Sequence, residues 1–463
     1  MDILIIGGGP GGYVAAIAAA QRGARVTLVE KDLLGGACLN RGCIPTKAIL
    51  HSANLFHQAK DFAALGIVIP PPRLDFAAVM QRKDAVANQL RKGVAFLLDK
   101  AGVTVLRGEA RFLSRGEAAV RTAEGERTLP AQNVIIATGS EPCDLPFARC
   151  DGKRILHSDH ALALDSLPQS LVIIGGGVIG CEFAQAFARM GVRVTMLELL
   201  PALLGTMDAD QSALMRRVLE KDGVDIRLSC GVDAVTDTGA GVETRFTQGG
   251  AQQSVSADKA LIATGRKPVT GGLDAQAAGV ALDARGAIPV DATCRTNVEG
   301  IYAIGDVTGG VQLAHAASHQ GVVAVENLLG ARKEFDARII PYCVYTSPEL
   351  ASMGYTQAQA EEAGYAIRTG LFPVSANGRS LIEGARDGFS KVVADSADGA
   401  ILGLHLAGPN ATEMISLFGS VLKFEATAED LADIIFAHPT VSEIIHESIL
   451  DIDKKAIHKA LRK

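Results

Sequence analysis

The first 30 residues consist of short apolar runs separated by glycines and an alanine-rich stretch. Residues 3–6 are all aliphatic, and five of the next six residues are glycine. Short continuous apolar runs are typical of strands that are buried on both faces of a parallel sheet. The pattern predicts a strand, a glycine turn, a helix from Tyr13 to Arg22 and a second strand that ends at Glu30, which together form a βαβ unit.

The same pattern returns in the middle of the chain. Residues 171–180 repeat the aliphatic run and the glycines, and a helix to Met190 and a strand over residues 193–198 follow. In both copies the acid that ends the second strand lies 21 positions after the third residue of the glycine loop. A glycine-rich turn can also serve simply to pack a helix closely on a sheet. Two copies that carry the strand, the helix and the acid at the same spacing favour two dinucleotide sites instead.

Each glycine loop would let the backbone approach a pyrophosphate at a helix N-terminus. Glu30 and Glu198 would accept hydrogen bonds from ribose hydroxyls. A carboxylate at Glu198 would repel the extra phosphate of NADP, so the second site is predicted to prefer NAD. The glycines predicted to approach a pyrophosphate are Gly7, Gly9 and Gly12 in the first loop and Gly175, Gly177 and Gly180 in the second.

Three further apolar runs end in glycine or aspartate. They are predicted to be buried strands whose ends, at Gly139, Gly265 and Asp306, lie where a ligand passes. Asp306 fits two interpretations equally well on these grounds. It is either a turn residue or a ligand for the ribityl chain of a flavin.

Composition limits the partners. The chain has 463 residues, enough for about three domains, and a net charge of −6 from 45 basic and 51 acidic residues that are mixed along the sequence. This excludes a basic stripe for nucleic acid, and we expect small-molecule or protein partners. The N-terminus lacks the features of a signal peptide and no apolar run reaches membrane-helix length, so we expect a cytoplasmic protein without membrane insertion.

Cys38 and Cys43 are separated by four residues and flanked by glycines, so a curled backbone can bring their sulfur atoms together. A helix predicted from Pro45 would place Cys43 near a helix N-terminus, where a thiolate is stabilised. A zinc site or a static disulfide is the alternative. Because no second cysteine pair has the spacing of a zinc knuckle, we favour a redox pair.

The other six cysteines are scattered singly, and we interpret them as buried thiols. A disulfide between Cys143 and Cys150 would close a loop between domains. We disfavour it because the chain has no export signal.

The segment from Ala437 to Glu443 reads Ala-His-Pro-Thr-Val-Ser-Glu. Thr440 and Glu443 have the spacing of a capping box, with Glu443 at the third position of the following helix. On spacing alone this favours a helix cap rather than a chemical role.

The two glycine fingerprints, the cysteine segment with residues 44–47, the Gly305-Asp306 segment and the His-Pro-Thr-Val-Ser-Glu segment together resemble the pyridine nucleotide-disulfide oxidoreductases over essentially the whole chain. The resemblance implies an α/β fold with two Rossmann-like dinucleotide-binding domains, one for FAD and one for NAD, and an α+β C-terminal dimerisation domain. The implied boundaries are 1–145 and 271–340 for the FAD domain, 146–270 for the NAD domain and 341–463 for the interface domain.

The resemblance also implies roles for single residues. Cys38 and Cys43 would form the redox disulfide, and His438 with its orienting partner Glu443 would carry the acid-base step in a homodimer whose sites combine two subunits. Lys47 and Glu182 would form a buried pair whose charges compensate each other near the flavin. The other positions implied to lie beside FAD are Ala110, Asp306, Ala314 and His315.

Within this family the chain resembles most the members that oxidise protein-bound dihydrolipoamide with NAD⁺ in 2-oxoacid dehydrogenase or glycine cleavage complexes. The lipoyl group is then expected on a separate carrier protein. A glutathione-type reductase should have basic residues after Glu198, but residues 199–204 are Leu-Leu-Pro-Ala-Leu-Leu. A mercuric reductase should have a C-terminal cysteine pair, but no cysteine follows Cys343. An inert assembly subunit would not need the retained thiols and histidine.

Two positions depart from the common pattern of this family, Arg41 where valine is expected and Thr46 where serine is expected. Arg41 adds a positive charge close to the two thiols. Neither departure removes a chemical group that the mechanism needs.

Overall fold

A computed structural model describes residues 1–460 of the chain. The chain folds as two compact units, each built from three segments. The first unit consists of Met1–Ile49, Asp75–Leu167 and Thr264–Asp336, and the second of Leu50–Leu74, Pro168–Ala263 and the residues from Ala337 onward.

The strands are, in chain order, β1 (Asp2–Ile6), β2 (Arg25–Glu30), β3 (Thr104–Arg107), β4 (Glu109–Ser114), β5 (Glu117–Thr122), β6 (Gly125–Pro130), β7 (Val134–Ile136), β8 (Ser140–Pro142), β9 (Ile155–Leu156), β10 (Ser170–Ile174), β11 (Arg193–Leu197), β12 (Asp225–Arg227), β13 (Cys230–Asp237), β14 (Val242–Gln248), β15 (Ala251–Ala257), β16 (Lys259–Ile262), β17 (Arg266–Pro268), β18 (Ile301–Ala303), β19 (Tyr342–Val344), β20 (Glu349–Gly354), β21 (Ile367–Pro373), β22 (Phe389–Asp395) and β23 (Ile401–Gly408).

The α-helices are α1 (Pro10–Gln21), α2 (Gly36–Arg41), α3 (Cys43–Gln58), α4 (Phe76–Lys100), α5 (Ser158–Ala161), α6 (Val178–Arg189), α7 (Ala209–Lys221), α8 (Ala314–Leu328), α9 (Gln357–Glu362), α10 (Gly378–Ile382), α11 (Ala411–Met414), α12 (Phe418–Lys423), α13 (Ala428–Ala432) and α14 (Glu443–Ile452). Short 3-10 helices span Ala59–Leu65, Ala275–Ala278, Gly305–Thr308, Ala337–Ile339, Val374–Ala376 and Ile415–Leu417. Within residues 1–460, no helix combines the length and apolar character needed to cross a bilayer.

The central sheet of the first unit has five parallel strands in the order β18-β7-β1-β2-β3. The three strands β18, β7 and β1 are apolar and buried almost throughout, as the sequence predicts, whereas the edge strand β3 has no buried residue. Helix α8 packs against α1 so closely that a Cβ atom at Gly321 would lie 2.7 Å from the carbonyl oxygen of Gly11. Glycine at position 321 therefore sets the distance between the two helices.

The second unit repeats this arrangement. Its parallel strands run in the order β16-β10-β11-β12, which matches β7-β1-β2-β3 of the first unit. In both units a three-stranded antiparallel sheet, β4-β5-β6 or β13-β14-β15, comes just before the strand that completes the repeat. The duplication therefore extends well beyond the two βαβ units that the sequence predicts.

The C-terminal part of the second unit has a five-stranded antiparallel sheet in the order β19-β20-β23-β22-β21. Helix α14 lies on this sheet so closely that a Cβ atom at Gly370 would overlap the carbonyl oxygen of Ser448. The apolar core beneath the helix includes Phe372, Leu404 and Ile444.

Three predicted helix boundaries are wrong. Helix α1 begins at Pro10 rather than Tyr13, and α3 begins at Cys43 rather than Pro45. The first-turn amides of a helix have no intrahelical partner, so proline is tolerated as the third residue of α3. Helix α14 begins at Glu443, with Ser442 as its N-cap, so Glu443 is the first helical residue and not the third.

A buried ion pair joins the start of α7 to the C-terminal sheet within the second unit. The Nζ atom of Lys391 donates to both carboxylate oxygens of Asp208 at 3.0 and 3.1 Å, and to Asp210 at 2.7 Å. The Lys391 and Asp208 side chains are only 6% and 2% exposed. Burial opposes the ionisation of Asp208, but the nearby His405 and Lys391 hold the pKa of Asp208 below its ordinary value.

We predict that Lys391→Met lowers the free energy of unfolding by about 3–5 kcal/mol, because it leaves the Asp208 carboxylate buried without its cation. Urea denaturation of the flavin-loaded protein measures this. Lys455→Met is the matched control, since Lys455 pairs with Asp453 at 3.4 Å on the surface, and its effect should stay below about 1 kcal/mol. Equal effects of the two substitutions would contradict a structural role for the buried pair.

Candidate active site

The two glycine loops are constrained by the protein's own backbone. Gly7 and Gly175 have φ angles of +106° and +109°, which favour glycine. A Cβ atom at Gly12 would overlap the carbonyl oxygen of Gly7, and a Cβ atom at Gly180 would overlap that of Gly175. These four glycines allow each helix to start directly against the end of its strand.

Gly9 and Gly177, the third residues of the two loops, have a different environment. A Cβ atom at Gly177 would meet no atom within 4 Å in the described part of the chain, and one at Gly9 would meet only the Cα atom of Gly36 at 3.9 Å. Both glycines are N-caps, and neither α1 nor α6 has a side-chain cap or a first-turn acid among residues 1–460. Open space beside uncapped amides at the positive end of a helix suits the pyrophosphate of a dinucleotide.

An acid clamps each loop in the same way. Glu30 Oε2 accepts a hydrogen bond from the backbone N–H of Gly8 at 2.6 Å, and Oε1 accepts from Asp32 at 2.7 Å. Glu198 Oε2 likewise accepts from Gly176, and Oε1 accepts from Leu200 at 2.7 Å. A carboxylate has about four acceptor positions, so each acid keeps capacity for a ribose hydroxyl.

Burial raises the pKa of Glu30, although the hydrogen bond from Gly8 opposes this shift. The acid is therefore part of the loop's own structure, in addition to its predicted contact with ribose.

Gly139, Gly265 and Asp306 are the residues predicted to lie at strand ends where a ligand passes. Gly139 and Gly265, which follow β7 of the first unit and β16 of the second, have positive φ angles of +74° and +142°. Asp306 accepts a hydrogen bond from the Ser140 hydroxyl, and the guanidinium of Arg266 donates to the same hydroxyl at 2.8 Å. Asp306 is thus held by residues distant in sequence and is more than a local turn residue.

The remaining positions predicted to lie beside FAD are also in the first unit. Ala110 is buried on β4, and Ala314 and His315 are the first two residues of α8. Their predicted contacts with FAD stay predictions.

The two candidate redox cysteines lie on consecutive helices. Cys38 is on α2, Cys43 is the first residue of α3, and Gly42 separates the helices. Both are thiols in this structure. A hydrogen bond to the sulfur of Cys43, together with burial, holds the pKa of Cys38 well above its ordinary value, and the positive charge of Lys47 acts in the opposite direction.

A negative charge is stabilised at a helix start, so the position of Cys43 as the first residue of α3 suits a thiolate.

Two residues that the sequence analysis missed hold the cysteine segment. Asn40 Nδ2 donates to the carbonyl oxygens of Leu34 and Gly36 at 3.0 and 2.9 Å, and Asn40 Oδ1 accepts from Arg91 of α4 at 2.9 Å. The position of Asn40 between two cysteines was a usable signal. Arg91 had none, because its contact spans 51 residues.

Arg41, one of the two departures from the common pattern, forms an ion pair with Asp32. Its positive charge next to the thiols is therefore partly compensated.

His438 and Glu443 form the second chemical group. His438 Nδ1 lies 2.9 Å from Glu443 Oε1, and Glu443 Oε2 accepts from the backbone N–H of Thr440 at 2.9 Å. The capping-box interpretation is thus half right, because Glu443 holds the Thr440 amide while the Thr440 hydroxyl donates to Ala437 instead. Burial opposes ionisation of Glu443, but these hydrogen bonds outweigh it and lower its pKa.

An Nδ1–H that donates to a carboxylate leaves Nε2 as the proton acceptor of the imidazole. The His438 side chain is 79% exposed, so this nitrogen can reach a substrate or a second subunit.

Glu182 of α6 is 2% exposed and accepts a hydrogen bond from the backbone N–H of Tyr345 at 3.0 Å. Gln185, one turn further along α6, exchanges hydrogen bonds with the backbone of Ser347. These contacts lie within the second unit. The predicted compensation between Glu182 and Lys47 stays a prediction.

Comparison with known proteins agrees with this geometry. Residues 1–321 match the model of the pyridine nucleotide-disulphide oxidoreductase family, and residues 340–449 match its dimerisation domain. The chain belongs to the pyridine nucleotide-disulphide oxidoreductases. This confirms the predicted family and fold class. It also confirms FAD and NAD as the cofactors, which the glycine cradles and acid clamps fit.

The chain is similar over its whole length to several proteins. It is 42% identical to a dihydrolipoyl dehydrogenase of Bacillus subtilis, covering 99% of this chain and 100% of that protein. It is 43% identical to the mitochondrial dihydrolipoyl dehydrogenase of Pisum sativum, covering 99% and 92%. The crystal structure of LpdA from Mycobacterium tuberculosis has a TM-score of 0.91 at 31% identity, covering 97% and 99%.

We predict that Gly177→Ala weakens NADH binding by about tenfold or more and leaves the fold and the FAD content unchanged. The added methyl group meets no atom of residues 1–460 within 4 Å. It would instead crowd a bound pyrophosphate, at a cost of about 1.4–3 kcal/mol. Anaerobic equilibrium dialysis of NADH against the flavin-loaded protein measures this, with the flavin reduced beforehand so that NADH binds without reacting.

Gly231→Ala is the matched control for this test, because a Cβ atom at Gly231 also meets nothing within 4 Å in the part of the chain that the structure describes. It lies in the same unit but outside the glycine loop, so NADH should bind normally. Unchanged NADH affinity in Gly177→Ala would mean that the pyrophosphate does not lie at this loop.

Proposed function

We propose that the chain oxidises a protein-bound dihydrolipoyl group to a lipoyl group, with NAD⁺ as the final electron acceptor. The observation that carries the proposal is the pair of contacting thiols, Cys38 and Cys43, at the start of a helix. The oriented pair of His438 and Glu443 adds the base that a thiol substrate needs. The relatives named dihydrolipoyl dehydrogenase support the same substrate.

The reaction begins with Cys38 and Cys43 joined as a disulfide. A substrate thiol loses its proton to Nε2 of His438 of the partner subunit, because only a thiolate attacks a disulfide efficiently. The substrate thiolate attacks the sulfur of Cys38, the bond between the two cysteines breaks, and Cys43 leaves as a thiolate. The helix N-terminus favours this leaving group.

The second substrate thiol completes the exchange. It attacks the substrate sulfur that is bound to Cys38 and its proton passes to the leaving sulfur of Cys38, so the lipoyl disulfide forms and Cys38 becomes a thiol. His438 then releases the first proton to solvent. The two electrons of the substrate are now held by the reduced cysteine pair. FAD, when bound, supplies the chemistry that moves this electron pair on to NAD⁺ as a hydride.

Glu443 acts by orienting His438. Its carboxylate accepts from Nδ1, which keeps Nε2 available as the base and stabilises the imidazolium that forms. The backbone N–H of Thr440 and the start of α14 hold the carboxylate in its charged form.

The nucleotide preference follows from the second acid. Glu198 is clamped in place by Gly176 and Leu200 and is buried. Because its carboxylate cannot turn away easily, a 2′-phosphate on the ribose would be repelled, which favours NAD over NADP.

The domain organisation is part of the proposal. Residues 1–145 and 271–340 would form the FAD-binding domain, 146–270 the NAD-binding domain and 341–463 the interface domain of a homodimer. The presence of a dimerisation domain supports the dimer. We place the enzyme in the cytoplasm, where it would receive its substrate from the lipoyl carrier of a 2-oxoacid dehydrogenase or glycine cleavage complex.

We predict that His438→Gln lowers kcat for dihydrolipoamide oxidation by about 10²–10⁴-fold, the usual contribution of a general base. Cys38→Ser should abolish this activity, because no disulfide can form. Anaerobic NADH production from dihydrolipoamide and NAD⁺ measures both. NADH oxidation by an artificial one-electron acceptor, which bypasses the cysteines, should persist in both variants.

His458→Gln is the matched control, because the chain contains a second pair of the same kind. His458 Nδ1 lies 2.7 Å from Glu447 Oε1 and its side chain is 72% exposed. This variant should keep wild-type turnover. Full activity of His438→Gln would contradict the role of His438. If the wild type oxidises NADH with the artificial acceptor but does not turn over dihydrolipoamide, the proposed substrate is wrong.

A further inference from the structure

A cluster of one cysteine and two histidines lies in the first unit, between β8 and the end of α5. Cys150, His157 and His160 each direct a ligand atom into the cluster, and the three atoms lie within 4.8 Å of one another. The Sγ atom of Cys150 is 3.5 Å from Nδ1 of His160. The reaction proposed above uses none of these residues.

The spacing suits a tetrahedral metal ion. With Zn–S bonds of about 2.3 Å and Zn–N bonds of about 2.0–2.1 Å, tetrahedral geometry places a sulfur and a nitrogen ligand about 3.5 Å apart. Cys150 and His160 already have this separation. The third ligand atom lies within 4.8 Å of the other two. Small side-chain rotations would bring it to the distance that a tetrahedral site requires.

The backbone around the cluster is held firmly. One carboxylate oxygen of Asp151 accepts from the backbone N–H groups of Lys153, Arg154 and Ile155 at 2.7–2.9 Å, which turns the chain back from Cys150 towards His157. A Cβ atom at Gly152 would lie 3.1 Å from the ring of His160. The turn therefore brings ligands from both its sides together.

A carboxylate also orients one of the rings. Asp144 Oδ1 accepts from the backbone N–H of Cys150 at 3.0 Å and lies 3.0 Å from Nε2 of His157. A carboxylate behind an imidazole is the usual outer partner of a metal-bound histidine.

Local hydrogen bonding is the alternative explanation of the cluster. His160 Nδ1 accepts a long hydrogen bond of 3.3 Å from the backbone N–H of His157, and a metal ion at Nδ1 would replace this hydrogen bond, because the ring nitrogen has one lone pair. Nε2 of His157 is buried and makes no hydrogen bond of acceptable geometry with any residue from 1 to 460, despite its closeness to Asp144. The capping box of α5 involves both rings, and backbone N–H groups of Gly152 and His157 contact the Cys150 thiol, so the metal-binding test has to separate a cation site from a helix cap.

We propose that Cys150, His157 and His160 bind one Zn²⁺ ion, with Asp144 orienting His157 and water in the remaining position. One thiolate and two imidazoles suit zinc, whereas Mg²⁺ and Ca²⁺ prefer oxygen ligands. On binding, the S–H bond of Cys150 breaks, a Zn–S bond forms and the proton passes to solvent. Burial raises the pKa of the Cys150 thiol, and the cation supplies the charge that stabilises its thiolate.

Cobalt is the probe for the test, because tetrahedral Co²⁺ with a thiolate ligand absorbs at wavelengths longer than the bands of oxidised flavin. The flavin-loaded protein is kept oxidised, so that Cys38 and Cys43 are joined and do not bind metal. We expect one Co²⁺ per chain, its absorption lost when one equivalent of Zn²⁺ displaces it. Cys150→Ser and His160→Ala should each weaken Zn²⁺ binding by about 100-fold or more, and Asp144→Asn by about 10-fold.

Cys143→Ser is the matched control, since Cys143 lies in the same segment but outside the cluster. It should bind zinc as the wild type does. A variant with both Cys38→Ser and Cys43→Ser should also bind normally. Zinc binding that survives Cys150→Ser but disappears in that double variant would overturn the proposal, as would the absence of binding to the wild type. The flavin spectrum checks that each variant is folded.

Discussion

The contact between a strand end and a helix start, made twice, is the constraint on which the rest of the structure depends. Gly12 and Gly180 leave room for each helix to meet the carbonyl of the first loop glycine. Glu30 and Glu198 then tie each loop to the end of the neighbouring strand through two backbone amides. The helix amides remain available for a phosphate because a carboxylate outside the helix, rather than an N-cap side chain, holds the loop.

The parts of the fold that depend on short-range patterns were predictable. Apolar runs that end in glycine predicted β1, β7, β10 and β16 because buried parallel strands have that composition. The sheets β4-β5-β6 and β13-β14-β15 were not predicted, since their strands are mostly polar on one face and carry no glycine fingerprint. The start of α3 at Cys43 was missed because proline marks the first turn of a helix but not its first residue.

The candidate site divides in the same way. The cysteines and the glycines stand out by spacing, and the segment from His438 to Glu443 stands out by its resemblance to the family. Asn40 with Arg91, and Ser140 with Asp306, do not, because each contact joins residues that are 51 or 166 positions apart. Sequence patterns indicate which groups are candidates for the chemistry. The residues that hold them in place come from tertiary contacts, which a single sequence does not display.

In each of the two repeated halves, an acid holds the glycine loop through two backbone amides, but the second amide belongs to a different kind of residue. In the second half, the amide that completes the clamp belongs to Leu200, whose side chain is apolar. In the first half it belongs to Asp32, whose carboxylate pairs with Arg41 beside the two thiols. The acid that holds the first loop is therefore linked through Asp32 to the helix that carries Cys38. This link gives Arg41 a structural reason to be charged, because it joins the dinucleotide loop to the thiol segment.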